Sequence, residues 1–233
     1  MKNSYKKILQ ILLSLIIIFT YACSDSTDKE STDNKTKTTD FSKRYGVKSA
    51  IVEYVVTGSR SGTKTLYFDN WGMRQAEYTN SVLQIAGFSK NINLVNIMND
   101  DSNIIIDLDK GTGTKTKNPV KKLIIELQNQ KSFGEFGEQI LLKSGAMKIG
   151  QEEFLDKECD IYEIKNAGTK IWIWKWIPLK TITKTGGIEI SSVAKKIEVN
   201  VSIPVEKFKV PENVTLTEVD LDNIEDYLRQ KSE

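Results

Sequence analysis

From Ala50 to Asp109 apolar and polar residues alternate, and clusters of Gly, Asn, Asp and Ser interrupt the alternation at short intervals. A period of two is the signature of strands with one face turned inward. Ala50–Thr57 predicts the first strand, rich in β-branched and aromatic residues (Ile51, Val52, Tyr54, Val55, Val56). Gly58-Ser59-Arg60-Ser61-Gly62 reads as a turn into Thr63–Phe68, and Asp69-Asn70-Trp71-Gly72 as a turn into Met73–Tyr78, giving an antiparallel meander. Further strands are expected at Val82–Phe88, Leu94–Met98 and Asn103–Asp109.

The period then changes. Asn118-Pro119 has the form of an N-cap followed by proline in the first helical position, and Val120, Leu123, Ile124 and Leu127 recur at helical spacing through Asn129. A second helix is predicted from Ser132, with Glu135 completing a capping box and Gly145 at its end; Phe133, Phe136, Ile140 and Leu141 supply its apolar face. Gly134 and Gly137 weaken its first turn.

Strand periodicity returns at Met147–Phe154 and Glu158–Lys165 and culminates in Lys170–Ile177, which carries three of the four tryptophans at alternate positions. As a strand it places Trp172, Trp174 and Trp176 on one face and Ile171, Ile173 and Ile177 on the other. One face is expected to meet the helices, and the other to lie under the C-terminal segment or a partner; the pattern leaves open which is which. Leu179–Lys184, a Gly186-Gly187 hairpin and Ile188–Ile203 follow, then a helical turn over Pro204–Phe208 and a last helix from Asp222 through Gln230, with Ile224, Tyr227 and Leu228 inward. The order predicts an α+β fold: a single curved antiparallel sheet, a half-barrel of about ten or eleven strands, with two central helices packed on its concave face. Residues 45–233 form one domain.

The segment before this domain is an address. Lys2, Lys6 and Lys7 precede the apolar run Ile8–Phe19, too short to span a bilayer, and the sequence reads as a signal peptide over residues 1–22. Ala22-Cys23 resembles the lipobox of bacterial lipoproteins, which implies a lipidated Cys23; ordinary signal cleavage after Ala22 is the alternative, since Thr20-x-Ala22 also suits it. Ser24–Asp40 contains no apolar residue, so residues 23–44 are expected to act as a lipid-bearing, disordered tether with a reach on the order of 20 Å. Ser24, not Asp, follows the cysteine, which points to the outer membrane, on its periplasmic face or at the cell surface. Removal of residues 1–22 takes three lysines and no acid from a chain with 33 basic and 31 acidic residues, leaving 30 and 31 and a net charge of −1. That balance gives no electrostatic case for nucleic acid. With Cys23 lipidated, Cys159 is single and buried beside Ile161; without lipid, a Cys23–Cys159 bridge is conceivable.

The chain has no histidine, which removes Ser-His and Cys-His pairs and every histidine-containing zinc site. Asp107-Leu108-Asp109 follows an apolar strand like the paired aspartates of haloacid-dehalogenase-type phosphatases, but the meander around it reads as a strand ending in a solvated turn. Gly111–Thr116 has a phosphate-loop look without the glycine before Lys115, and is expected to be a hairpin-type turn. Asp100 and Asp101 with Asp107 and Asp109 lack the glycine and distal glutamate of a dedicated calcium loop. No enzyme, cofactor or metal is expected.

Strands, two central helices and further strands resemble the LolA/LolB superfamily of lipoprotein carriers. Residues 157–162, Trp172-Ile173-Trp174, Ile177-Pro178-Leu179-Lys180 and Phe208-Lys209-Val210-Pro211 are similar to an uncharacterised family of LolA-like bacterial lipoproteins. The resemblance implies a half-barrel closed by helices over an apolar cavity for acyl chains. Phe41–Lys48 is too short for the long first helix of the carriers. The expected function is a non-enzymatic, membrane-tethered protein that binds an acyl or other lipid ligand, or an envelope partner. The expected lining is Trp172, Trp174, Trp176, Leu123, Leu127, Phe136 and Ile140. The alternative is a packed envelope scaffold for protein contact, without ligand.

Overall fold

A computed structural model describes residues 41–129 and 135–220. The signal segment, Cys23 and the tether through Asp40, Ser132 to Gly134 and the C-terminal helix expected from Asp222 lie outside the described residues, whereas residues 41–44, expected to belong to the tether, are described and pack on the domain. The strands are β1 (Ala50–Gly58), β2 (Arg60–Asp69), β3 (Arg74–Ile85), β4 (Phe88–Met98), β5 (Ser102–Asp107), β6 (Thr112–Lys117), β7 (Met147–Glu153), β8 (Glu158–Ile164), β9 (Thr169–Trp174), β10 (Ile177–Thr185), β11 (Ile188–Val199) and β12 (Thr215–Glu218). Two helices, α1 (Pro119–Asn129) and α2 (Phe136–Lys143), separate β6 from β7. All strands join one open sheet in the order β12-β6-β5-β4-β3-β2-β1-β11-β10-β9-β8-β7.

Four expectations need correction. The sheet has 12 strands and is mixed, because β12 runs parallel to β6, pairing Thr215 with Thr112 through Glu218 with Lys115. Gly111–Thr116 is not a turn, since Thr112–Lys117 pairs with β5 after a turn that ends at Gly111. Met73–Tyr78 and Val82–Phe88 are not separate: β3 runs unbroken through Thr79, Asn80 and Ser81, and the real hairpin lies at Ala86-Gly87. Lys170–Ile177 is not one strand. It breaks after Trp174 into a two-residue hairpin turn, in which Lys175 and Trp176 take φ of 49° and 67° and Ile177 pairs back on Trp174. Trp176 therefore leaves the ladder.

The sheet has apolar clusters on both faces. On β2 and β3, Leu66 and Phe68 alternate with Tyr67, whose cross-strand partner is Ala76. Leu66 and Phe68 join Tyr45, Val47, Ala50, Val52 and Tyr54, under the N-terminal segment that hydrogen-bonds Arg44 and Tyr45 N–H to Trp71 C=O. The opposite face gathers Ala76, Val95, Ile97, Ile104 and Ile106 beneath Phe208, Val210, Val214 and Leu216. Among the described residues, the C-terminal segment thus covers the first half of the sheet, not the tryptophan strand.

Asn118 caps α1, its Oδ1 accepting the Val120 N–H at 2.9 Å. The expected laying of both helices over the sheet is only partly met. Leu127, Phe136 and Ile140 pack together with Val120, Leu123, Ile124, Phe41 and Met73, so α1 rests on α2 and on the approach to β3. The contact of α2 with the sheet runs through Leu141, against Tyr162, Ile164, Ile171 and Ile173. The isoleucine face of β9 is the one that meets a helix. Glu135 precedes α2 with no side-chain cap bond; its carboxylate accepts the Trp176 indole N–H instead.

Candidate functional site

Cross-strand partners share a face, so the register traces one row from beneath α2 across eight strands: Tyr162, Ile171, Thr181, Ser192, Val56, Gly62, Ser81 and Ile92. We call this the inner face. Arg60 and its partner Leu83 stand two positions from Gly62 and Ser81 and therefore point the same way, as do Lys64, Glu77, Thr79 and Asn96. The same face holds Ala50, Val52, Leu66 and Phe68 of the first apolar cluster and turns polar toward Arg60, Lys64, Thr79 and Ser81, where it departs from the apolar inside expected of a core.

These polar groups are organised around two cations. Arg60 Nε donates to Ser81 Oγ at 2.7 Å, and Ser81 is buried. Arg60 Nη2 is itself buried and has no hydrogen-bond partner. Burial pulls the Arg60 guanidinium below its ordinary pKa, and the charge of Glu77 pushes the other way. Lys64 pairs with that Glu77 at 3.2 Å and lies 4.4 Å from the centre of the Tyr54 ring. Tyr54 is buried, donates to the Pro178 C=O at 2.8 Å, and has its pKa raised well above the ordinary tyrosine value by that burial. Asn96 Oδ1 and Ser192 Oγ, on the same face, are also buried without partners. Among the described residues, Ile92, Leu94 and Ile105 of this face are only half-buried and belong to none of the four packed clusters, while Leu83 beside them is buried. The arrangement sets hydrogen-bonding groups beside apolar side chains that the core does not use.

The residues expected to line one cavity do not come together. Leu127, Phe136 and Ile140 are 0%, 1% and 6% exposed and fill the contact between the helices, with Leu123 beside them. Trp172 and Trp174 point away from the Ile171–Ile173 side and pack near Cys159, Ile161 and Leu179. Trp172 donates its indole N–H to Glu152 at 2.8 Å, and Lys180 lies 4.0 Å over its ring. Trp176 packs on α2. Two open surface depressions lie elsewhere and are lined mostly by charged and polar residues: one of 580 Å³ among Glu163, Lys165, Lys170 and Lys184, the other of 900 Å³ among Asn99 to Ser102, Lys115 to Lys117 and Glu218 to Asp220.

The other candidate chemistry resolves into local structure. Asp107 holds the Lys110 ammonium and backbone N–H in the β5–β6 turn, which lowers its pKa, and Asp109 accepts from Asn93 at 3.1 Å. Asp100 and Asp101 sit at the opposite end of β5, with Asp101 paired to Lys121 at 3.0 Å, so the four aspartates do not converge. Among the described residues no group of three or more Cys, Asp or Glu side chains is placed to hold a metal. Cys159 is fully buried, and burial together with Asp160 and Glu152 pushes its thiol up to about 11. No helix among the described residues is long and apolar enough to cross a membrane.

Arg60 escaped the sequence because it stands inside Gly58–Gly62, where the flanking glycines and serines signal a turn. Counting back by twos from Leu66 places it on the inner face, and that parity is the one signal that finds it.

No protein-family model matches the chain, and no curated protein does. Solved structures do resemble it. An uncharacterised conserved protein from Thermus thermophilus aligns over 77% of this chain and 95% of its own, with a TM-score of 0.49 and 5% identity. LprF from Mycobacterium bovis aligns over 74% and 92%, at 0.31 and 7%. A putative outer membrane lipoprotein-sorting protein domain from Vibrio parahaemolyticus aligns over 69% and 88%, at 0.24 and 10%.

Proposed function

We propose that the protein is a non-enzymatic outer-membrane lipoprotein, tethered through Cys23, that holds an acyl-bearing ligand against the inner face of its sheet. The observation that carries this is the set of half-buried apolar side chains Ile92, Leu94 and Ile105, which share a face with buried, unpartnered polar atoms and lie outside the packed clusters. A sheet face finished as core would be apolar and interlocked; one that receives a ligand combines apolar area with a few placed polar groups. The helix-to-helix residues do not enter the site. The absence of histidine and the engagement of Asp107 and Asp109 in turn contacts favour binding over catalysis.

Native mass spectrometry of the mature chain, Cys23–Glu233, after incubation with single-chain lipids tests the reading. A one-to-one adduct is the expected result, and failure to retain any acyl ligand overturns it. Intact mass of the protein from membranes tests the tether: Cys23 is expected to be acylated, and an unmodified cysteine at the new N-terminus removes the lipoprotein assignment.

A second reading, contact with an envelope protein, is favoured by one feature. Leu142 at the end of α2 and Met147 and Ile149 on the edge strand β7 are about half exposed and close in sequence. That edge is defended against indiscriminate pairing by a bulge between Lys148 and Gly150 and by Lys148, Glu152 and Glu153. The same native mass spectra that fail to show lipid would leave this as the working function.

A further inference from the structure

We infer that Arg60 selects the ligand by charge: the inner face takes a single-chain anionic amphiphile whose carboxylate or phosphate hydrogen-bonds Arg60 Nη2. This rests on the acyl-binding reading above and names the head group that the reading leaves open.

The argument begins with what Arg60 already holds. A guanidinium has five N–H donors in a planar fork and accepts nothing. Ser81 takes Nε at 2.7 Å, which fixes the plane, and Nη2 is left buried and unpaired. An unsatisfied charged donor away from water is among the costlier defects a fold carries, so a retained one calls for a ligand acceptor. The nearby carboxylate, Glu77, bonds Lys64 at 3.2 Å and leaves Arg60 Nη2 without a partner. An anion meets the donor with a charge-assisted bond of the kind arginine makes best.

The surroundings set the rest of the ligand. Leu83, the direct cross-strand partner of Arg60, is 3% exposed. Val56 and Ile92 follow in the next row, and Ile85 and Phe88 pair at the hairpin beyond Leu83, where Phe88 is 50% exposed. Gly62, next to Arg60 on the same face, adds no side chain, and a Cβ there would meet Asn80 C=O at 2.2 Å. Arg60, bordered by aliphatic and aromatic side chains and with Lys90 opposite Leu83 on the same face, fits a charged head on an apolar chain; Lys64 is occupied by Glu77.

The test compares laurate, dodecyl phosphate and the neutral lauroyl glycerol, with inorganic phosphate alone, binding to the mature chain by titration calorimetry. At least one anionic amphiphile is expected to bind about tenfold more tightly than lauroyl glycerol, a difference of about 1.4 kcal/mol. Laurate against dodecyl phosphate distinguishes a carboxylate from a phosphate head. Arg60→Gln is expected to bring laurate and dodecyl phosphate down to the affinity of lauroyl glycerol, with an unchanged circular dichroism spectrum showing that the variant folds. Arg60→Lys, which keeps the charge and loses the fork, is expected to fall between. Equal binding of all three amphiphiles by the wild type overturns the inference and leaves the acyl-binding reading standing, as does a preference that survives Arg60→Gln. Inorganic phosphate binding as tightly as dodecyl phosphate overturns the amphiphile. Binding of nothing overturns both.

Discussion

Gly137→Ala tests the joint between α2 and the β9–β10 hairpin. Glycine inside a helix costs about 0.5–1 kcal/mol relative to alanine, so propensity alone predicts that the substitution stabilises. The packing predicts the reverse. A Cβ at Gly137 would lie 2.3 Å from Trp176 Cγ, 2.5 Å from Trp176 Cβ and 2.7 Å from the Arg44 C=O. Carbon atoms in good contact sit about 3.5–4.0 Å apart, so relief requires movement of an ångström or more. Two of the three obstacles are backbone or Cβ, which no rotamer change moves. Trp176 is further held by a turn with φ of 67° and by its indole N–H on Glu135. Overpacking of this kind costs about 1–3 kcal/mol. Less the propensity gain, Gly137→Ala should destabilise by about 1–2 kcal/mol.

The control is the double mutant. In a Trp176→Gly background both Trp176 obstacles, Cγ and Cβ, are removed, and only the Arg44 carbonyl remains. Gly137→Ala should then cost little, giving a coupling of about 1 kcal/mol or more, as direct contacts do. Urea denaturation of the mature chain and its three variants, followed by circular dichroism with the slope checked for constancy, supplies the four free energies. Stability of Gly137→Ala at or above wild type, or simple additivity with Trp176→Gly, refutes the reasoning.

Two further outcomes follow from buried groups. The Cys159 thiol is raised from 9.0 to about 11 and the Tyr162 phenol from 10.0 to about 12, chiefly by burial, so both stay protonated in the folded chain where the unfolded chain has lost the protons. The unfolded state then binds fewer protons and stability falls as pH rises, first through the thiol window and then through the phenol window. Urea midpoints measured between about pH 8 and 11 should fall less steeply for Cys159→Ala than for wild type; parallel curves would refute it. On the opposite face, Leu216 Cδ2 lies 2.8 Å from where a Gly113 Cβ would be, and Leu216 helps cover Ile97, Ile104 and Ile106. Leu216→Asp should cost about 2 kcal/mol and increase binding of an apolar dye, whereas Thr215→Asp, exposed on the same strand, should stay within about 0.5 kcal/mol. Equal effects of the two would mean that β12 is not a cover.

The alternation that reveals a strand is a record of burial, so it is legible where side chains are sorted into apolar and polar and fails where a polar group is turned inward. β1, β5 and β8 are sorted, and the sequence places them within a few residues. Asn118-Pro119 places the start of α1 because both residues act locally. Trp176 defeats the pattern for a different reason: its spacing matches a ladder, and neither Lys175 nor Trp176 advertises the positive φ that the hairpin imposes. The strand β3 shows the third case. Thr79, Asn80 and Ser81 look like a linker between two strands, yet Thr79 and Ser81 are buried on the inner face and Ser81 clamps Arg60. Arg60 in turn looks like part of a turn because serines and glycines surround it. Both misreadings fall on the same few ångströms of sheet, and for one cause: the inner face carries hydrogen-bonding groups where packing alone would place aliphatic ones. A face that only had to be stable would keep its period through Ser81 and Arg60. The break in the pattern is therefore itself evidence that this part of the sheet is shaped by something other than its own core.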